Sequence, residues 1–225
     1  MLKISLALLL MTLFLSGPVS AAVDGGGAAG SESLDIVTRV VGEVGPRVVT
    51  SREVALSEAI AQVLSGLPLG KDKSVIKPAD PTFAGQVVRV LDEWTVFLEA
   101  ADIDARNADK AEVAKWQKSV QEQWKGAPSW EKLEPSSAEV KEAIERKLVA
   151  QAFERLKVDA SLVNISDQEA QQYYKKNRLR FGGLPYENFK DNIKAALAKS
   201  QTERRLLEWR AVLRRKYRVR NYLGA

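Results

Sequence analysis

Asp92-Glu93, Asp102 with Asp104, and Glu131 with Glu134 are the carboxylates whose closeness in sequence would suit a general acid and its base or nucleophile. Nothing marks one pair over another, and solvated helix faces explain all of them. The stretch Gly66-Leu67-Pro68-Leu69-Gly70-Lys71-Asp72 approaches a phosphate-binding loop. That motif needs four residues between its glycines and Ser or Thr after the Lys. Here three residues intervene, Asp follows, and Pro68 has no amide to donate, so the stretch reads as an ordinary loop. The 225 residues include no Cys and no His. Thiolate nucleophiles, disulfides, Cys- or His-ligated metals and a Ser-His-Asp triad are therefore impossible. No catalytic, metal-binding or cofactor-binding residue is assigned, no cofactor is expected, and the chain reads as non-enzymatic.

The elements that would position any remaining chemistry follow an address signal. Lys3, the apolar run Ile4 to Leu15, the Gly17-Pro18 break and the small residues Val19-Ser20-Ala21 form a secretory signal peptide over residues 1–21. The run is short for a bilayer span and has no basic flank after it, so stable membrane insertion is not expected. Cleavage removes Lys3 and lowers the formal charge of +5 by one. Residues 22–33, rich in Gly, Ala and Ser, read as a flexible leader. Val- and Ile-rich residues around Gly42-Glu43-Val44-Gly45-Pro46 predict a β-hairpin, with strands near Ile36–Val41 and Arg47–Thr50.

The rest is predicted to be mainly α. Thr50–Glu53, Ser136–Glu139 and Ser166–Glu169 each fit a capping box ahead of a helix. Helices are expected near 52–65, 83–101, 109–125, 138–158, 167–180 and 187–216, with Gly126-Ala127-Pro128 as a break and 66–81 as a long loop. The 138–158 helix carries Val140, Ile144, Leu148, Ala152 and Leu156 at steps of four. Tyr217 to Leu223 alternates like a closing strand. A lone strand needs a partner for its amides, and the hairpin is the only other sheet material, so the two ends should meet in one small sheet.

Val40-Val41-Gly42 followed by Val48-Val49-Thr50-Ser51-Arg52-Glu53-Val54 resembles the start of SurA-like chaperones, where a "VVNG…VTxSE" hairpin feeds the first helix. The block Ile165-Ser166-Asp167-Gln168-Glu169, Tyr173-Tyr174-Lys175-Lys176-Asn177 and Phe181 is similar to that family's "ISDEEV..YYxxN…F" segment. Pro185-Tyr186-Glu187-Asn188-Phe189-Lys190-Asp191-Asn192-Ile193 looks like the start of its C-terminal helix, and Tyr217-Arg218-Val219 like its returning strand. In the SurA/PrsA group a parvulin-type isomerase domain lies between the last two helices. Only three residues separate Phe181 from Pro185, and parvulin sites use histidines. The resemblance therefore implies one chaperone domain over residues 34–225 without the isomerase, built from 34–181 and 186–223.

It also implies an ATP-independent holdase of the bacterial periplasm, gripping unfolded outer-membrane or secreted proteins through an apolar groove. The candidate client-binding rings are Trp94, Phe97, Trp116, Trp124, Trp130, Tyr174, Phe181 and Tyr186. Trp94, Trp116, Trp124 and Trp209 also lie on helical stripes, which favours core for most of them. Whether a groove stays open or is filled by the 66–81 loop decides between the two. Residues 200–225 hold eight basic and two acidic side chains, which suit an anionic partner or, more simply, a solvated face and a helix C-terminus. Nucleic acid is not expected as a partner. The rival reading is an envelope scaffold or homodimer, with the closing strand exchanged between copies.

Overall fold

The computed structural model describes residues 38–66, 68–70 and 73–223. The expected signal peptide over 1–21, the expected leader over 22–33, the expected strand start at Ile36 and the Lys71-Asp72 end of the phosphate-loop-like stretch lie outside these residues. The protein is mainly α, with seven α-helices among the described residues and a small antiparallel sheet. Strands β1 (Val40–Val44) and β2 (Arg47–Thr50) form the hairpin, and β3 (Arg220–Asn221) joins the far edge in the order β2-β1-β3. Beginning and end of this region do meet: Gly42 pairs with Asn221 and Glu43 with Arg220.

Gly42 lies inside β1 rather than in the turn, which is confined to Gly45-Pro46. A Cβ at Gly42 would lie 2.6 Å from the Arg220 carbonyl oxygen and 2.9 Å from a Leu91 methyl, so the third strand can approach only a glycine.

Helices α1 (Ser51–Leu64), α2 (Phe83–Asp102), α3 (Lys110–Trp124), α5 (Ser137–Ala160), α6 (Asp167–Lys176) and α7 (Lys190–Lys216) fall close to the predicted spans. The break at Gly126-Ala127-Pro128 also opens an unforeseen helix, α4 (Pro128–Leu133), with Pro128 at its first position, where a missing amide costs nothing. The predicted 167–180 helix stops at Lys176 and tightens into a 3-10 turn, Arg178–Phe181. Another such turn, Tyr186–Asn188, precedes α7. Two of the three capping boxes form, at Ser136/Glu139 and Ser166/Glu169. At α1 only half forms: Thr50 Oγ1 accepts from the Glu53 amide, while the Glu53 carboxylate is taken by Trp94 and Arg146 instead.

The four-residue stripe on α5 is corrected at its end. Each step of four overshoots a turn by about 40°. Val140 and Ile144 are buried, but Ala152 and Leu156 have rotated into solvent, and Phe153 takes the inner position. Three adjoining apolar clusters fill the main body, drawn from the sheet, α1 to α5 and the C-terminal part of α7. A satellite core of Ile165, Ala170, Tyr174 and Ile193 joins α6 to the start of α7. Helix α7, about 40 Å long by its 27 residues, spans both.

Its C-terminus closes in a Schellman arrangement. The Arg218 amide donates to the Arg215 carbonyl and that of Val219 to the Arg214 carbonyl, with Arg218 left-handed at φ +49°. That reversal delivers β3 to β1. The Gly45 amide donates to the Tyr217 carbonyl at 2.6 Å and the Tyr222 amide to that of Val41 at 3.0 Å. Among the described residues no helix is long and apolar enough to cross a membrane.

Candidate functional site

The eight candidate rings divide between the two cores. In the main body Trp124 is fully buried, donates its indole N–H to the Ala59 carbonyl and stacks on Trp130 at 5.6 Å. Val75, from the predicted loop, is buried in the same cluster, with Leu69 and Ile76 packed against it. The Val75 amide donates to Ser129 Oγ and Ser129 Oγ donates to the Lys73 carbonyl, which straps this segment to α4. Trp116 and Trp130 are half-buried on the rim of that cluster. Trp124 is thus a core residue, and no face of it is offered to another chain.

Trp94 is also a core residue, for an electrostatic reason. Its ring is clamped between the guanidinium groups of Arg47, 4.1 Å from the centroid, and Arg146, at 4.2 Å. Its indole N–H donates to Glu53 at 2.6 Å. Arg146, 2% exposed, donates to Glu53 at 3.1 Å and to Glu93 at 2.6 Å, and Lys147 donates to Glu93 at 2.6 Å. This network ties α5 to α1 and α2. Phe97 packs edge-on against Trp94, half-buried. A cleft of about 150 Å³ beside the network is lined by Arg47, Arg52, Arg146, Glu53, Glu139 and Glu142 among others. Each guanidinium in it already faces a carboxylate. Arg52 holds the Glu139 carboxyl down at about 2, with help from the Ser136 amide.

Tyr174, Phe181 and Tyr186 converge in the satellite. Phe181 is its hub, with ring centroids 5.1 Å from Tyr174, 6.5 Å from Tyr173 and 5.0 Å from Phe189. Tyr174 donates its hydroxyl proton to the Leu184 carbonyl and Tyr186 donates its own to that of Asp167, so both phenols are held by backbone. Asp167 is gripped by Lys194 and Lys190, which hold its carboxyl below the usual range. Gly182 and Gly183, at φ +59° and +77°, supply the left-handed turn in which the Leu184 amide donates back to the Phe181 carbonyl at 3.1 Å.

Between α6, the Arg178–Phe181 turn and α7 lies an open, mainly apolar groove of about 250 Å³. Tyr173, Arg180, Phe181, Phe189, Asn192, Ile193 and Ala196 line it. Only Phe181 belongs to the predicted set. Tyr174 and Tyr186 instead support it from beneath. Phe189 and Ile193, four apart at the start of the long helix, were legible as an apolar face, but nothing in their spacing says that Ile193 is buried while Phe189 stays half-exposed beside a groove.

The basic C-terminal stretch is largely taken up within the protein. Arg214 forms a two-pronged bond to Asp92, Lys216 reaches Glu99 and Asp102, Arg210 reaches Glu154, and Arg220 reaches Glu43. The Tyr217 hydroxyl lies 2.7 Å from Asp102 and 2.9 Å from Glu99. Burial and the Asp102 bond push its pKa up. Arg214, Lys216 and Tyr217 latch the end of α7 to α2, and Arg210 ties it to α5. No protein-family model matches the chain, and neither a curated protein nor a solved structure matches it.

Proposed function

We propose that the protein is a non-enzymatic, ATP-independent chaperone that holds unfolded or partly folded polypeptides, like the SurA-type core module without its isomerase domain. The observation that carries this reading is the open aromatic groove of the satellite core. An apolar side chain that leaves water for such a groove gains up to about 2 kcal/mol. One such contact is weak, and several along one chain add by avidity. Release needs no nucleotide, because folding of the client withdraws the same apolar groups. With residues 1–21 read as an export signal, the setting is the periplasm and the clients are outer-membrane or secreted polypeptides.

The test is dilution of a denatured client into buffer with the purified protein at near-stoichiometric ratios. Wild-type protein suppresses light scattering. Ala196→Glu, which places a charge on the exposed groove wall, removes that protection while the far-UV circular dichroism stays unchanged. Folded wild-type protein that leaves client aggregation untouched contradicts the proposal.

A further inference from the structure

The segment that leads into the groove wall at Phe181 is cationic and forms no ion pair among the described residues. Between Tyr174 and Phe181 the chain reads Lys175-Lys176-Asn177-Arg178-Leu179-Arg180, and all four basic residues are exposed. Arg180 is itself a wall of the groove, held near the rings by a 3.5 Å hydrogen bond to the Tyr173 hydroxyl. Among the described residues Lys175, Lys176, Arg178 and Arg180 form no ion pair. The acidic side chains on the facing element are Glu187 and Asp191, while Asp167 is engaged by Lys190 and Lys194. With Lys190 and Lys194 spent on Asp167, residues 173–196 carry four unpaired basic groups against the two acidic ones. Leu179, within the same segment, is 99% exposed, an apolar group with no cover. In the C-terminal stretch Arg210, Arg214, Lys216 and Arg220 are matched by carboxylates of α5, α2 and β1, whereas here all four cations face solvent.

We infer that the groove prefers segments of unfolded polypeptide in which an apolar or aromatic residue is flanked by Asp or Glu. The apolar side chain enters between Phe181, Phe189 and Ile193, and the flanking carboxylates meet Arg180, Arg178 and the two lysines. A guanidinium in the wall suits this, because its planar fork takes a carboxylate through two parallel bonds. The concave shape favours a chain over a flat anionic surface such as a membrane. This inference rests on the holding function proposed above and names the class of segment held.

Fluorescence anisotropy with labelled peptides of about twelve residues tests it. Each carries the same central aromatic pair, flanked by Glu, Gln or Lys. At about 50 mM salt the Glu-flanked peptide should bind roughly tenfold tighter than the Gln-flanked one, and at about 300 mM the gap should shrink to about twofold. The variant Lys175→Gln/Lys176→Gln/Arg178→Gln, which keeps Arg180, should narrow the gap to about threefold and bind the Gln-flanked peptide as wild type does. Equal binding of Glu- and Gln-flanked peptides by wild type overturns the charge preference and leaves the holding function standing. Binding of neither peptide overturns both. Capture by vesicles containing anionic lipid, without binding of the Glu-flanked peptide, also overturns the inference and reassigns the cationic segment to a membrane.

Discussion

Replacing Arg146 by Met removes the guanidinium that Glu53 and Glu93 share and that lies over Trp94, while an unbranched apolar side chain still fills the space. The carboxylates are 17% and 13% exposed, so water cannot take over fully. Breaking a buried pair from one side costs about 3–5 kcal/mol. The lower end applies, because Glu93 retains Lys147 and Glu53 retains the Trp94 indole N–H. The expected loss is about 3 kcal/mol, of total stabilities on the order of 5–15 kcal/mol. With a urea slope of about 2 kcal/mol per M, the unfolding midpoint falls by about 1.5 M with unchanged slope. Adding Glu53→Gln to Arg146→Met removes one stranded charge and leaves an oxygen for the indole, so about half of the loss should return. Tryptophan fluorescence during urea unfolding reports both variants. A midpoint drop under about 0.3 M for Arg146→Met, or a double variant less stable than the single one, refutes the argument that this network holds α5 against α1 and α2.

Gly42→Ala forces the Arg220 carbonyl and Leu91 apart; a loss of about 1–3 kcal/mol by thermal unfolding, with early hydrogen exchange at Tyr222 as β3 detaches, is expected. Arg218→Gly should stabilise the protein by about 1 kcal/mol in the same measurement, since φ +49° strains any residue with a Cβ and glycine adopts it freely. Acid unfolding provides another check. The Glu139 pKa, lowered from 4.5 to about 2 chiefly by Arg52, gives stability that is complete above pH 4.5 and lost as pH falls towards 2. At a side chain 41% exposed, solvent screening leaves about 1 kcal/mol of this, and Glu139→Gln should flatten the pH dependence of the unfolding midpoint between pH 5 and 2 by that amount.

Local signals carried most of the architecture. The caps at Thr50, Ser136 and Ser166, the turn glycines and the terminal strand's unpaired amides were enough to place the helices and to join the two ends in one sheet. What the residue order does not encode locally is which charged groups go inside. Arg146 and Lys147 look like any solvated pair on an amphipathic helix, and only the approach of Glu53 and Glu93 from other helices makes their burial tolerable. The same holds for the aromatic residues. Trp94 and Trp124 sit on the same kind of stripe as Phe189, yet a strap and two arginines enclose the first two while no segment among the described residues covers the groove beside Phe189. Coverage is a long-range property, so spacing alone could place Phe181 and Tyr173 on an apolar side but not nominate Arg180 or Asn192.

A photoreactive phenylalanine analogue placed in turn at Asn192, in the groove wall, and at Lys118, exposed on α3, tests the groove most directly. With an unfolded client present and illumination, the account predicts a crosslinked adduct from position 192 and background from position 118. Equal yields from the two positions, or an adduct from position 118 alone, would contradict it.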